Sequence, residues 1–222
     1  MTSGRECCVV GIAGGSASGK SMFTRVLVEA LTDREPGLRI RVLHTDGYFR
    51  LGSPEMPHLV LSTNGEVLPD FNRPDSVDLD RLIADLDAAI LGNDAADILI
   101  VEGLMVLHLD AVRERLDLRL FVELDADTRA LRRLVRNLEH HGDPLSDQSA
   151  GSIAAYYLES AKVGHERYIE PSRAYADLIV RGDADFSRVA PMVATVVVEM
   201  RPQRCLSTTS VTRTSPGTRA SG

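Results

Sequence analysis

The sequence has no tryptophan, only three cysteines and a shortage of positive charge, with 25 Lys and Arg against 32 Asp and Glu for a formal net charge of −7. Each shortage removes a class of function. Cys7 and Cys8 are adjacent and Cys205 stands apart, so they make neither a disulfide framework nor a metal-ligand spacing. Aromatic residues are 5% of the chain, and with an acidic balance this leaves neither the cationic surface nor the stacking platform of a general nucleic-acid binder. No nucleic-acid partner is expected. No apolar run approaches the roughly 20 residues that cross a bilayer, and Met1 to Glu6 does not lead from a basic region into an apolar stretch. No membrane partner is expected either, and the cytoplasm is the expected compartment.

What remains is a chain of 222 residues, 44% hydrophobic, which suits one domain with a sizeable core. That domain is expected over residues 1–202. The stretch 203–222, rich in Ser, Thr, Gly and Arg, reads as a disordered tail. Short β-branched runs at Cys7 to Ala13, Ile40 to Thr45, Ile98 to Val101, Leu118 to Leu124 and Leu178 to Val180 read as strands. Longer periodic stretches at Lys20 to Leu31, Leu79 to Leu91, Ala126 to His140, Ser152 to Tyr168 and Phe186 to Met200 read as helices. The alternation predicts an α/β fold, a parallel sheet of about five strands sandwiched by helices. Residues 46 to 76, with Pro54, Pro57, Pro69 and Pro74, read as a long irregular connection of the kind that often carries function.

After the first strand comes Gly14-Gly15-Ser16-Ala17-Ser18-Gly19-Lys20-Ser21, a full match to G-x-x-x-x-G-K-[ST] between a buried strand and an amphipathic helix. Such a loop turns its N–H groups inward around phosphates, the helix N-terminus adds positive potential, Lys20 reaches the terminal phosphates and Ser21 can ligate Mg2+. The fold expected is therefore of the P-loop NTPase type. The guanine-reading N-K-x-D and the switch string D-x-x-G are both missing, which argues against a GTPase switch.

Two predicted strands end in carboxylates, at Asp46 and at Glu102, and in a parallel sheet the carboxyl ends of strands gather the chemistry. Phosphoryl transfer needs oxygen ligands for Mg2+ and a carboxylate near the attacking hydroxyl. Asp46 is the candidate base, and Ser21, Glu102 and Asp46 are the candidate metal set. His44, two residues before Asp46, reads as an ordinary strand histidine. Farther on, at about 3.6 residues per turn, Arg129, Arg132, Arg133 and Arg136 share one arc of a helix and Leu131, Leu134, Val135 and Leu138 the opposite one. The expectation is a buried apolar face and a guanidinium face that covers the nucleotide phosphates.

Taken together these segments resemble the uridine kinase and phosphoribulokinase family of P-loop kinases, over most of Val9 to Asp183. Besides the phosphate loop, Asp46-Gly47-Tyr48-Phe49 is similar to that family's D-x-[FY]-[YF] segment, and Asp70-Phe71-Asn72-Arg73-Pro74-Asp75-Ser76 to N-F-D-H-P-D-A. Ile100-Val101-Glu102-Gly103-Leu104 resembles its F-E-G-I strand end, Phe121 to Arg129 its F-V-D-x-D-A-D-x-R, and Ile169 to Asp177 its I-E-P-[ST]-[KR]-x-Y-A-D. The resemblance implies ATP and Mg2+ as cofactors and transfer of the γ-phosphoryl group to a hydroxyl of a small-molecule acceptor, in the first place a nucleoside 5′-hydroxyl. It implies Asp46, Lys20 and Arg132 as catalytic residues, Arg129, Arg133 and Arg136 around the nucleotide, and Tyr48, Phe71, Asn72, Arg73 and Tyr157 around the acceptor. A homo-oligomer stays open.

The departures fall on acceptor recognition. Uridine kinases carry a hairpin of the form P-x-Y-D-x-x-x-H that reads the pyrimidine, whereas Asp80 to Leu99 here holds only a helix, a short turn and the next strand. The family's ribose-gripping aspartate aligns with Asn72, and its Gln-Tyr pair reads Tyr156-Tyr157. The 50 to 69 connection could supply another wall to the pocket. Another riboside, a phosphosugar or pantothenate therefore remains an alternative acceptor, and a non-catalytic ATP-binding regulator is the rival of another class.

Overall fold

The computed structural model describes residues 7–92, 95–139 and 149–201; the expected tail, 203–222, lies outside them. The central sheet has the order β2-β5-β1-β6-β7, built from β1 (Cys8–Gly14), β2 (Ile40–His44), β5 (Ile98–Glu102), β6 (Leu118–Glu123) and β7 (Leu178–Arg181). Every pairing in it is parallel. β1 and β5 are buried on both faces, as a covered parallel sheet requires, and their side chains alternate between two cores. Val9, Ala13, Leu99 and Val101 enter one core. Val10, Ile12, Ile98 and Ile100 enter the other, against α1 (Lys20–Arg34) and α8 (Phe186–Met200).

On the first face lies α2 (Leu79–Leu91), capped by the Asp78 carboxylate, which accepts from the Arg81 N–H at 3.2 Å, and buried through Leu82, Leu86, Ala89 and Ile90. A short helix α3 (Asp110–Arg113) precedes β6. α8 is valine-rich and contains Pro191, yet Ala190, Val193, Ala194 and Val197 are spaced to bury one stripe against the sheet. Tertiary burial outweighs its weak helix propensity.

Two expectations change. The 46–76 connection is more ordered than its prolines suggest: it contains an antiparallel hairpin, β3 (His58–Val60) and β4 (Val67–Pro69). That hairpin packs its Leu59, Leu61 and Leu68 on α5 (Ala150–Tyr156). From α5 the helical path continues to Ser172 through π-helical segments Tyr157–Ala161 and His165–Ile169, separated by α6 (Lys162–Gly164) and followed by α7 (Glu170–Ser172).

The second change is in α4 (Ala126–Glu139), which faces the opposite way from the expectation. Arg129, Arg133 and Asn137 are its buried residues, whereas Leu131, Val135 and Leu138 are at least half exposed. Burying an arginine stem costs little when the guanidinium finds oxygen partners and borders a polar cleft. Here it finds both.

Candidate active site

The carboxyl ends of β1, β2 and β5 open on one cleft of about 530 Å3, the size of a small-ligand site. Its floor is the phosphate loop, of which Ser16, Ala17, Gly19, Lys20 and Ser21 line the space. The loop's wrap requires left-handed backbone at Gly19 (φ 102°), the residue that caps α1, and at Ala17 (φ 62°). A non-glycine residue in that region costs on the order of 1 kcal/mol, and such strain concentrates where backbone N–H groups must converge on a ligand. Gly14, Gly15 and Ser18 lie in the loop but outside the cleft wall.

Lys20 is buried, and its Nζ donates to the Gly15 carbonyl at 3.1 Å. Burial pulls its pKa below the usual lysine value, while the Glu102 and Asp46 carboxylates oppose that shift. Ser21 Oγ donates to Glu102 Oε1 at 3.2 Å. Asp46 lies just beyond β2 in a 3₁₀ turn, Thr45–Tyr48, and lines the same cleft. Its carboxyl is open to the cleft and enclosed by protein on its remaining sides; this enclosure pushes it above its ordinary value, with Lys20 as the chief opposing charge. Gly103, next to Glu102, permits this closeness, because a Cβ there would fall 1.7 Å from the Thr45 hydroxyl. Gly103→Ala is expected to destabilise the fold by about 1–3 kcal/mol, the usual scale of overpacking, measured by urea unfolding. An unchanged midpoint would mean that the 45–46 turn moves freely.

Arg132, Arg133 and Arg136 line the cleft from α4. Arg133 Nη1 donates to Ser16 Oγ at 3.1 Å, and Arg132 Nη1 to the Gly182 carbonyl at 3.3 Å. Arg129, assigned from sequence to the nucleotide, takes a different post: its Nε donates to the Leu124 carbonyl at 3.0 Å and its guanidinium lies against Gly15, behind the loop. It supports the loop from outside the cleft wall.

Across the cleft stand Phe49, Leu51, Phe71, Asn72 and Leu104. Phe71 and Asn72 are where the sequence reading puts them. Tyr48 is not: its ring is buried in the core and its hydroxyl donates to Asp85 at 2.8 Å. Phe49 takes the wall instead, because in a 3₁₀ turn residues three apart eclipse and Asp46 and Phe49 share a side. Arg73 is also off the wall, its fork closed on Asp75 at 3.0 and 2.8 Å, and Tyr157 donates to the Ala126 carbonyl at 3.2 Å in a separate hollow between α4 and α5. Met22, Phe49, Leu51 and Leu104 line the cleft without having been singled out from sequence. Met22 follows Ser21, Phe49 and Leu104 lie in segments that carry the family resemblance, and Leu51 lies in the 50 to 69 connection, but no residue pattern turned these four side chains toward the cleft.

Asn72 is held by a buried network. Its Nδ2 donates to Ser160 Oγ at 2.8 Å and to Tyr156 Oη at 3.3 Å. Ser160 in turn donates to Asp70 at 2.5 Å, and Tyr156 donates to the Pro69 carbonyl at 2.9 Å while accepting from the Phe71 N–H at 3.2 Å. Both hydroxyl protons are thereby committed, which sets the amide's orientation and leaves Asn72 an acceptor, Oδ1, to offer. The asparagine thus presents what an aspartate would, without the charge. Tyr156→Phe would strand the Pro69 carbonyl and two N–H donors, and is expected to lower unfolding stability by about 1–3 kcal/mol. Denaturant unfolding checks it, and a loss near zero would mean that water replaces the phenol.

The model of the phosphoribulokinase/uridine kinase family matches residues 84–185. A uridine kinase from Chlamydia pneumoniae is 32% identical over 197 residues, covering 79% of this chain and 82% of that protein. A uridine kinase from Chloroflexus aurantiacus is 30% identical over 195 residues, covering 78% and 86%. Among solved structures, a provisionally named fructose transport system kinase from Silicibacter sp. TM1040 superposes with a TM-score of 0.58 at 20% identity, covering 81% of this chain and 91% of that one, which shows the P-loop kinase fold. The motif-bearing loop, the two strand-end carboxylates and the shared length of these relatives lead to one assignment: the chain belongs to the phosphoribulokinase/uridine kinase family.

Proposed function

We propose that the protein transfers the γ-phosphoryl group of ATP to a hydroxyl of a small molecule, a nucleoside 5′-hydroxyl being the acceptor that the relatives' names favour. The observation that carries this is the convergence of Lys20, Asp46, Glu102 and three α4 arginines on one cleft whose far wall is apolar except for Asn72. A regulator that merely holds ATP has no use for a carboxylate aimed at a second ligand's place.

In this reading the loop N–H groups and Lys20 hold the β- and γ-phosphates, and Arg132, Arg133 and Arg136 face the charge that spreads over the moving phosphoryl group. Asp46, ionised, accepts the proton of the attacking hydroxyl. Asn72 Oδ1 accepts from a hydroxyl of the acceptor, while Phe49 and Phe71, with centroids 4.8 Å apart, pack against its body. Ser21, Glu102 and Asp46 form an all-oxygen donor set that suits Mg2+, which when bound supplies charge neutralisation at the phosphate oxygens. Among the described residues no cluster of three or more His, Cys, Asp or Glu could hold a metal ion alone, which accords with an ion held largely by phosphate oxygens.

The acceptor follows from what the wall contains. Only six residues, 92–97, separate α2 from β5. The 58–69 hairpin leans on α5, and Leu51 is the one cleft residue from the 50 to 69 connection. Few polar groups are left to read a base. A site that hydrogen-bonds a base rejects analogues by large factors, because its own buried polar groups lose their partners. Uridine and cytidine are therefore expected to differ from adenosine by less than about a hundredfold in kcat/KM, roughly 3 kcal/mol. Removing the ribose 2′-hydroxyl is expected to cost at least as much as changing the base. ADP release against nucleosides, ribosides, phosphosugars and pantothenate tests the acceptor class. A pyrimidine preference well beyond that limit would show a base-reading wall, and no ADP release with any of them would favour the regulator.

A further inference from the structure

His44 is the last residue of β2 and Glu102 the last of β5, and the two strands pair in register at these positions. In-register neighbours of a parallel pair stand about 4.8 Å apart with their side chains on the same face. That face is the one that sends Ile40, Val42, Ile98 and Ile100 toward α1, whose first turn carries Ser21. The three side chains meet there. Glu102 is buried, its Oε1 accepts from Ser21 Oγ at 3.2 Å, and its Oε2 lies 2.8 Å from His44 Nδ1. Since a carboxylate oxygen is an acceptor, Nδ1 carries the proton and donates.

A carboxylate with one partner can still rotate about its last bond, whereas donors on opposite oxygens lock its plane. His44 is absent from the cleft wall, and its side chain is 58% exposed. Its hydrogen bond into the site is the one to Glu102. We infer that His44 is a positioning residue: by holding Oε2 it keeps Oε1 of Glu102 turned toward Ser21, in the orientation needed at the nucleotide's divalent cation. This rests on the reading of Ser21 and Glu102 as the seat of that cation.

Outer-shell partners of this kind typically change metal affinity by 10–100-fold. The test is ADP binding by calorimetry, in excess EDTA and in MgCl2, taking the ratio of the two Kd values as the metal's contribution. In His44→Ala that ratio is expected to fall about tenfold while the metal-free Kd stays within about twofold, which also reports an intact loop. His44→Asn, whose amide nitrogen sits where Nδ1 does, is expected to restore the ratio to within about threefold of wild type. An unchanged ratio in His44→Ala, or a loss that His44→Asn fails to rescue, would overturn the inference and leave the cation's seat standing. If ADP binding to the wild-type protein is indifferent to MgCl2, the seat itself is wrong and the inference falls with it.

Discussion

Lys20→Ala is expected to cut turnover at saturating ATP by about 10²–10³-fold, the scale of losing one preorganised charge from a transition state, while weakening ATP binding far less. Lys20 Nζ rests on the Gly15 carbonyl inside the loop, so it is already placed before a nucleotide arrives. Burial lowers its pKa, and phosphate charge acts in the opposite direction, favouring the ammonium. The loop N–H groups remain in the variant and continue to hold the phosphates. Steady-state kinetics set beside ADP binding separates the two effects. Turnover within threefold of wild type would remove Lys20 from the mechanism.

Asp46→Asn is expected to reduce turnover by at least roughly a hundredfold, the usual scale for a positioned acid or base, with ADP affinity in MgCl2 held within an order of magnitude. Asparagine keeps the shape and cannot take the proton. A second signature is the pH profile. The enclosed carboxyl of Asp46 titrates above its ordinary value, so the basic form is populated only above that raised pKa and is lost as pH falls through it. The acid limb of the wild-type kcat/KM profile is therefore expected above the usual aspartate value of about 3.9, and it should vanish from the residual activity of Asp46→Asn. Should nucleotide binding collapse instead while turnover at saturating ATP survives, Asp46 is a cation ligand only and the base lies elsewhere.

Much of this site is legible in the sequence because it is local. A G-x-x-x-x-G-K-[ST] loop after an apolar run closes on itself within a few residues, so Lys20 and Ser21 can be assigned before any tertiary contact is known. Asp46 and Glu102 can be placed for a similar reason: the one follows and the other ends a short apolar strand, and parallel strands bring their carboxyl ends to one edge. The misplacements have a common cause. Whether Tyr48 or Phe49 faces the cleft depends on a single 3₁₀ turn, and a one-residue phase error exchanges core for wall. Arg73 and Tyr157 similarly sit in the right segments and find partners in Asp75 and Ala126 instead.

Residue pattern alone determined the parallel αβ order, the phosphate loop, the strand-end carboxylates and the lack of room for a base-reading hairpin between α2 and β5, because each follows from the period, spacing or length of one stretch of chain. Tertiary structure decided what depends on partners distant in sequence. The helical period of α4 divides arginines from leucines, yet only the packing turned the arginine arc inward onto Ser16, Leu124 and Gly182 and left Leu131, Val135 and Leu138 outside. The composition of Asn72 offers donors and an acceptor alike, and Ser160 and Tyr156, more than eighty residues away, use the donors and leave the acceptor. The physical reason is the same in both cases: a side chain's chemistry is set by its identity, but which of its faces or atoms remains available is set by what the fold packs against it.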